Sequence, residues 1–243
     1  IHLDNFLSTD QINSLNNEIN EISNSYLING NTKASIWINH NQFEILNPIV
    51  NIEKINILNI AFKVYKKLKS STGVNYTLSC LRVIDEKKNI HPLNWHTDNT
   101  NDTIRGLLYL MGGDISNGSL SYVKESHNLK FENNKTHNLN ISELNLESKV
   151  LNFDSKPGDL VLLNINGIHK KNIINKHRRI IFFEFQNQSK SVKKKTKIIF
   201  DNSRVSSEML KEPDFLFYKN EEENLIRPIH HYNLILQTPI KVF

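Results

Sequence analysis

Apolar residues open the chain with a helical period. Ile12, Leu15, Ile19 and Ile22 fall on one helical face behind Ser8, Thr9 and Asp10, whose oxygens can cap a first turn. Asn29-Gly30-Asn31 reads as a turn, with short strands expected over Ala34 to Asn39 and Gln42 to Ile45. Ile52, Ile55, Leu58, Phe62 and Tyr65 then predict a second helix, starting at Asn47 or Ile52 and ending near Leu68. Lys63, Lys66, Lys67 and Lys69 cluster at its C-terminal end, where cations suit the helix dipole.

From Asn75 the period shortens. Tyr76 to Ile84, Thr103 to Met111, Ser119 to Val123, Asp159 to Asn164 and Arg178 to Gln186 are short runs rich in β-branched and aromatic residues. Gly112-Gly113-Asp114, Asn117-Gly118, Pro157-Gly158-Asp159 and Asn166-Gly167 separate them as turns. Two leading helices followed by many strands predict a mainly β fold with flanking helices, a sandwich or jelly roll and not an alternating parallel sheet. Lys130 to Lys149 is polar and reads as an insertion between strands. The tail after Gln188 is too apolar for a disordered segment and is expected to pack back on the core.

Composition narrows the class. A chain of 243 residues can bury one sizeable core. No apolar run approaches the roughly 18 residues that a membrane span needs, so no membrane is expected. One cysteine, Cys80, excludes an intrachain disulfide framework and favours a reducing, cytoplasmic setting. The net charge of +5 is spread along the chain apart from Lys193-Lys194-Lys195. Nucleic acid is therefore not expected, and the basic balance leans only weakly toward an anionic small molecule. Asn makes up about one residue in seven, but it is scattered through ordinary apolar periodicity and marks no low-complexity region.

The chemistry concentrates in Asn94-Trp95-His96-Thr97-Asp98. In extended backbone, residues two apart point to the same side, so His96 and Asp98 converge. A third ligand has to come from a neighbouring strand, and His169, in Gly167-Ile168-His169 after an apolar strand, is the best placed. Two His and one Asp on one face of an iron leave positions open for a co-substrate and oxygen. Nine residues on stands Arg178-Arg179, a guanidinium fork suited to a dicarboxylate. Strand parity lets only one of the two point inward.

The order His96-x-Asp98, His169, Arg178 resembles the phytanoyl-CoA dioxygenase-like branch of the iron(II)/2-oxoglutarate-dependent oxygenases. Leu3 to Ser8 ahead of a helix, Leu107 to Leu110 through Asn117-Gly118-Ser119 to Ser126-His127, and Lys156-Pro157-Gly158-Asp159 match flanking segments of that branch. The resemblance covers about residues 1 to 188. It implies a double-stranded β-helix (jelly roll, cupin-like) domain over 1–188 with a C-terminal extension over 189–243 that helps cover the active-site mouth. It also implies Fe(II) on His96, Asp98 and His169, with 2-oxoglutarate paired to Arg178, or to Arg179 as the alternative. Tyr109 is a candidate for lining the co-substrate pocket. The implied reaction consumes O2, decarboxylates 2-oxoglutarate to succinate and oxidises a C–H bond of a small-molecule substrate. Because Asp98 is present, where related halogenases carry a small residue, hydroxylation is favoured over halogenation.

Two departures from the branch stand out. The step from His169 to Arg178 is a residue or two short, and no serine or threonine follows Arg178 at the alternate position. Weaker candidates are Trp95 as a metal shield, His177 at substrate, and Arg82 or Arg105 at an anionic substrate. His91 and His127 are alternative imidazoles. The rival readings are a non-catalytic jelly-roll module binding a small molecule or sugar, and a hydrolase using another divalent metal.

Overall fold

The computed structural model describes residues 1–29, 35–39, 42–46, 57–89, 93–98, 102–131, 136–187, 206–212 and 215. Among these, ten strands and three α-helices follow in the order β1 (His2–Leu3), α1 (Thr9–Asn29), β2 (Ser35–Asn39), β3 (Gln42–Leu46), α2 (Ile57–Thr72), β4 (Tyr76–Asn89), β5 (Thr103–Met111), β6 (Leu120–Val123), β7 (Val150–Phe153), β8 (Leu160–Asn164), β9 (His169–Lys171), β10 (Ile174–Asn187) and α3 (Ser207–Leu210). A seven-stranded sheet runs β1-β8-β5-β10-β4-β3-β2, and a three-stranded sheet runs β7-β6-β9. Every pair in both is antiparallel. This is the expected mainly β fold, a double-stranded β-helix of jelly-roll form with helices on one sheet.

Local chemistry sets the helices. Ser8 opens α1 with a capping box: Gln11 N donates to Ser8 Oγ at 3.3 Å, and Ser8 N donates to Gln11 Oε1 at 3.1 Å. Ile12, Leu15 and Ile19 then bury the predicted face of α1. In α2 the buried set includes Ile60, Ala61, Phe62, Val64, Tyr65 and Leu68. Its lysines find carboxylates: Lys66 Nζ lies 2.6 Å from Glu208 and Lys69 Nζ 2.7 Å from Glu212. Phe215 packs on Phe62 and Tyr65, with ring centroids 4.9 and 5.1 Å apart. The expected start of the second helix at Asn47 or Ile52, the Lys193 to Lys195 cluster and most of the 189–243 stretch lie outside the described residues, so the active-site cover expected there is not seen.

Strands β4 and β10 are longer than their hydrophobic runs. They pair from Ile174↔Asn89 to Asn187↔Tyr76 and form the spine of the large sheet. Where the apolar pattern stops, charge takes over, and Arg178 sits opposite Glu86 and Arg179 opposite Asp85. Ile181, Phe183 and Phe185 bury one face of β10 completely, whereas Arg178, Ile180, Phe182 and Glu184 share the other. That second face looks toward the site.

Candidate metal centre

Residues 93–98 lie in extended backbone against β9 and the β8–β9 loop. His96 N donates to His169 O at 3.0 Å and His169 N donates to His96 O at 2.8 Å, a hydrogen-bonded antiparallel pair. Such a pair projects both side chains from the same face at close range. The two imidazole centroids are accordingly 4.4 Å apart. Asp98, two residues on, shares the His96 side, and its backbone N is fixed by Ile165 O at 3.1 Å. Asp98 Oδ1 lies 3.7 Å from His96 Nε2, and Oδ2 lies 3.9 Å from His169 Nε2. One ligand atom from each of the three lies within 4.8 Å of the others.

The tautomers suit a cation. His96 Nδ1 is 2.8 Å from Asn94 O, and His169 Nδ1 is 2.8 Å from Gly167 O. A carbonyl only accepts, so each Nδ1 carries the proton and each Nε2 turns a lone pair toward Asp98. His169 is 3% exposed, and its Nε2 is buried with no hydrogen-bond partner. Burial pushes its pKa down to about 4, so the imidazole is neutral at neutral pH. A buried, unprotonated nitrogen beside a second imidazole and a carboxylate is what a divalent metal fills. Backbone hydrogen bonds to carbonyls orient both rings in the manner common at metal sites.

Ser126 holds the approach to His169. This buried hydroxyl accepts from Ile168 N at 2.7 Å and donates to Val123 O at 2.6 Å. Gly167 is needed at the preceding turn because a Cβ there would run into the Tyr122 phenol.

The arginine doublet is split by parity. Arg179 points away from the centre, toward α1. Its Nε donates to Asp85 Oδ2 at 2.8 Å, Nη1 to Asn16 Oδ1 at 3.1 Å and Nη2 to Asn20 Oδ1 at 2.8 Å. His177 shares that side and bonds the other oxygen of Asp85. Each of these contacts ties β10 to β4 and α1, on the side away from His96, Asp98 and His169.

Arg178 points to the interior, 6% exposed. Its Nε donates to Glu86 Oε2 at 2.8 Å, its Nη2 donates to the same oxygen, and Nη1 reaches Gly118 O at 3.1 Å. Gly118, at φ +78°, lies so close that a Cβ would stand 2.5 Å from Arg178 Cδ. Lys171 Nζ binds the other oxygen of Glu86 at 2.5 Å. Burial alone would raise the Glu86 pKa, but Arg178 and Lys171 hold it below the ordinary carboxylate value. Five N–H donors on a guanidinium exceed the three engaged among the described residues. Tyr109, fully buried, puts its hydroxyl beside Arg178 without a hydrogen bond of acceptable geometry. Burial pushes that phenol up to about 12, so it stays a neutral donor.

Other candidates resolve differently. Arg105 lies on β5 and contacts Asp98: Nη2 is 2.8 Å from Asp98 Oδ2 and 2.8 Å from Glu184 Oε1. Trp95 faces away from the ligands, under Lys170 Nζ at 4.8 Å from its ring centroid. His127 is exposed on a 3-10 turn. His91 and the side chains of Cys80 and Arg82 lie outside the described residues.

The sequence did not reveal His137, whose ring stacks on His96 at 5.9 Å. It arrives on the polar insertion, which pairs with the ligand segment through Thr97 N to Thr136 O at 2.9 Å and Leu139 N to Trp95 O at 2.8 Å. No periodicity or motif marks that pairing. Glu86 and Glu184 were missed as well; charged residues inside a strand give no sign of their partners.

No protein-family model and no curated protein matches the sequence. The fold, by contrast, is shared with solved structures. The non-heme alpha ketoglutarate dependent epimerase SnoN from nogalamycin biosynthesis aligns with TM-score 0.60 at 12% identity, covering 77% of this chain and 78% of that one. HygX from Streptomyces hygroscopicus, solved with nickel and 2-oxoglutarate bound, aligns with TM-score 0.58 at 12% identity over 77% of this chain and 82% of its own. AviO1 from Streptomyces viridochromogenes Tue57 gives TM-score 0.60 and 13% identity over 78% and 90%. The chain therefore has the fold of non-haem 2-oxoglutarate-dependent enzymes.

Proposed function

We propose that this protein is an iron(II)/2-oxoglutarate-dependent oxygenase acting on a C–H bond of a small molecule, within the phytanoyl-CoA dioxygenase-like branch. The observation that carries the reading is the buried, unpartnered Nε2 of His169 facing His96 and Asp98. Two imidazoles and one carboxylate suit Fe(II) and leave positions for small ligands. The neighbours agree in chemistry: HygX was solved with nickel and 2-oxoglutarate, and SnoN with Fe3+ and alpha ketoglutarate.

His96, Asp98 and His169 would hold the ion, with Arg178 and the Tyr109 hydroxyl gripping the far carboxylate of 2-oxoglutarate. With its co-substrates bound, the iron supplies oxidative decarboxylation of the keto acid to succinate, coupled to oxidation of the substrate. The chain contributes position and dryness. Gly118 leaves room for the Arg178 stem, Glu86 fixes its guanidinium, and Ile180 and Phe182 keep the same β10 face apolar. Charge-assisted hydrogen bonds gain strength in such a water-poor setting.

Hydroxylation is the favoured outcome. SnoN is an epimerase and SnoK a carbocyclase, so the same fold also serves reactions other than hydroxylation. Succinate release tests the class whichever outcome applies. Protein incubated with Fe(II), 2-oxoglutarate and O2 is expected to release succinate slowly even without substrate, and His96→Ala none. Wild-type protein that retains no metal anaerobically and yields no succinate would return the non-catalytic binding module to first place.

A further inference from the structure

We infer that Arg105 is a positioning residue for the metal ligand Asp98, and that Glu184 positions Arg105. The inference rests on the metal site proposed above and goes beyond it, to residues outside the ligand set.

Two strands and the 93–98 segment meet at this guanidinium. Arg105 and Glu184 stand opposite each other in the β5–β10 register. They project toward Asp98, which sits on the segment paired with β9. Nη2 of Arg105 bridges the two acids, 2.8 Å from Glu184 Oε1 and 2.8 Å from Asp98 Oδ2. The guanidinium also lies over the Phe182 ring, its Cζ 4.8 Å from the centroid, which fixes its plane. The Asp98 carboxylate is only partly buried, with 23% of its side chain exposed, and it sits on a short extended segment. Left alone it would rotate or turn to solvent. With Oδ2 tied to Arg105, Oδ1 remains on the His96 side, 3.7 Å from Nε2, as the oxygen offered to a divalent cation. Orienting a ligand before the ion arrives removes an ordering cost from binding.

The test is a titration of the intact protein with Ni(II), oxygen-independent and read by calorimetry, with thermal unfolding of the metal-free protein alongside. Arg105→Met is expected to weaken Ni(II) about 10- to 100-fold, the usual effect of removing such a partner. Arg105→Lys, which can still reach a carboxylate, is expected to recover part of the loss. A residue that only stabilises the fold would lower the unfolding midpoint and leave Ni(II) affinity where it was. Unchanged or tighter Ni(II) binding by Arg105→Met overturns the inference, as does Arg105→Lys binding no better than Met. Should Arg105→Met fail to fold, Glu184→Gln carries the test: a several-fold loss supports the inference and an unchanged affinity overturns it. Absence of Ni(II) binding by the wild type would instead strike the metal-site reading itself.

Discussion

Replacing Arg179 with Met separates the two arginines of the doublet. Arg179 is 4% exposed, and the side chain of Asp85 is 12% exposed, so the pair is screened little by water. Methionine keeps an aliphatic stem of similar reach and removes the charge. Among the described residues Asp85 would then keep His177 alone as a side-chain partner, and the Asn16 and Asn20 oxygens would lose this donor. Breaking a buried pair from one side costs about 3–5 kcal/mol. At about 2–4 °C per kcal/mol for a chain of this size, the unfolding midpoint should fall by about 6–20 °C. Binding of 2-oxoglutarate, followed anaerobically through the visible absorbance of the Fe(II) complex well below that midpoint, should stay at wild-type strength. Arg178→Met should abolish it. The reasoning is refuted if Arg179→Met unfolds at the wild-type temperature, or if it weakens 2-oxoglutarate more than Arg178→Met does.

Ser126→Ala leaves the buried Ile168 N without its acceptor and should cost about 1–3 kcal/mol in urea unfolding. It should also weaken metal binding, since Ile168 precedes His169; full stability with unchanged affinity would contradict this. Asp85 and Glu86 give an acid limb. Burial works to raise both, yet His177 and Arg179, and Arg178 and Lys171 respectively, hold them below ordinary carboxylate values in the fold. Their stabilisation is therefore complete above the unfolded-state pKa near about 4 and is lost as pH falls through the lower folded values. Urea midpoints across that range should drop steeply below about pH 4, and Asp85→Asn should start lower and fall less. A profile of Asp85→Asn parallel to wild type would exclude this cause.

The elements that bury one clear face were legible in the sequence. Ile12, Leu15 and Ile19 announced α1 behind Ser8, and β5 was bounded correctly by its apolar run against the Gly112-Gly113 turn. The ends of β4 and β10 were not legible: the expected strands stopped at Ile84 and began at Arg178, whereas β4 runs on through Asp85 and Glu86 to Asn89 and β10 starts at Ile174, through polar and charged positions that alternation of polarity does not mark. Similarly, β9 is three residues of mixed character, His169–Lys171, held by β6 and by the bridge to His96. The meeting of His96, Asp98 and His169 was readable because His96 and Asp98 are two apart on one extended segment and Gly167 marks the turn before His169. The groups that orient them were not. Glu184 meets Arg105 across 79 residues of chain and Ser126 meets Ile168 across 42, pairings that only the folded sheet brings together, and Arg105, though near Asp98 in the chain, reaches it from a different element, β5.

Fe(II) stoichiometry under strict anaerobiosis tests the metal centre most directly. The wild type should bind one Fe(II) per chain, His96→Ala and His169→Ala none, and His127→Ala and His177→Ala one. Tight binding that survives loss of either ligand imidazole, or a wild type that binds no ion, would contradict the assignment.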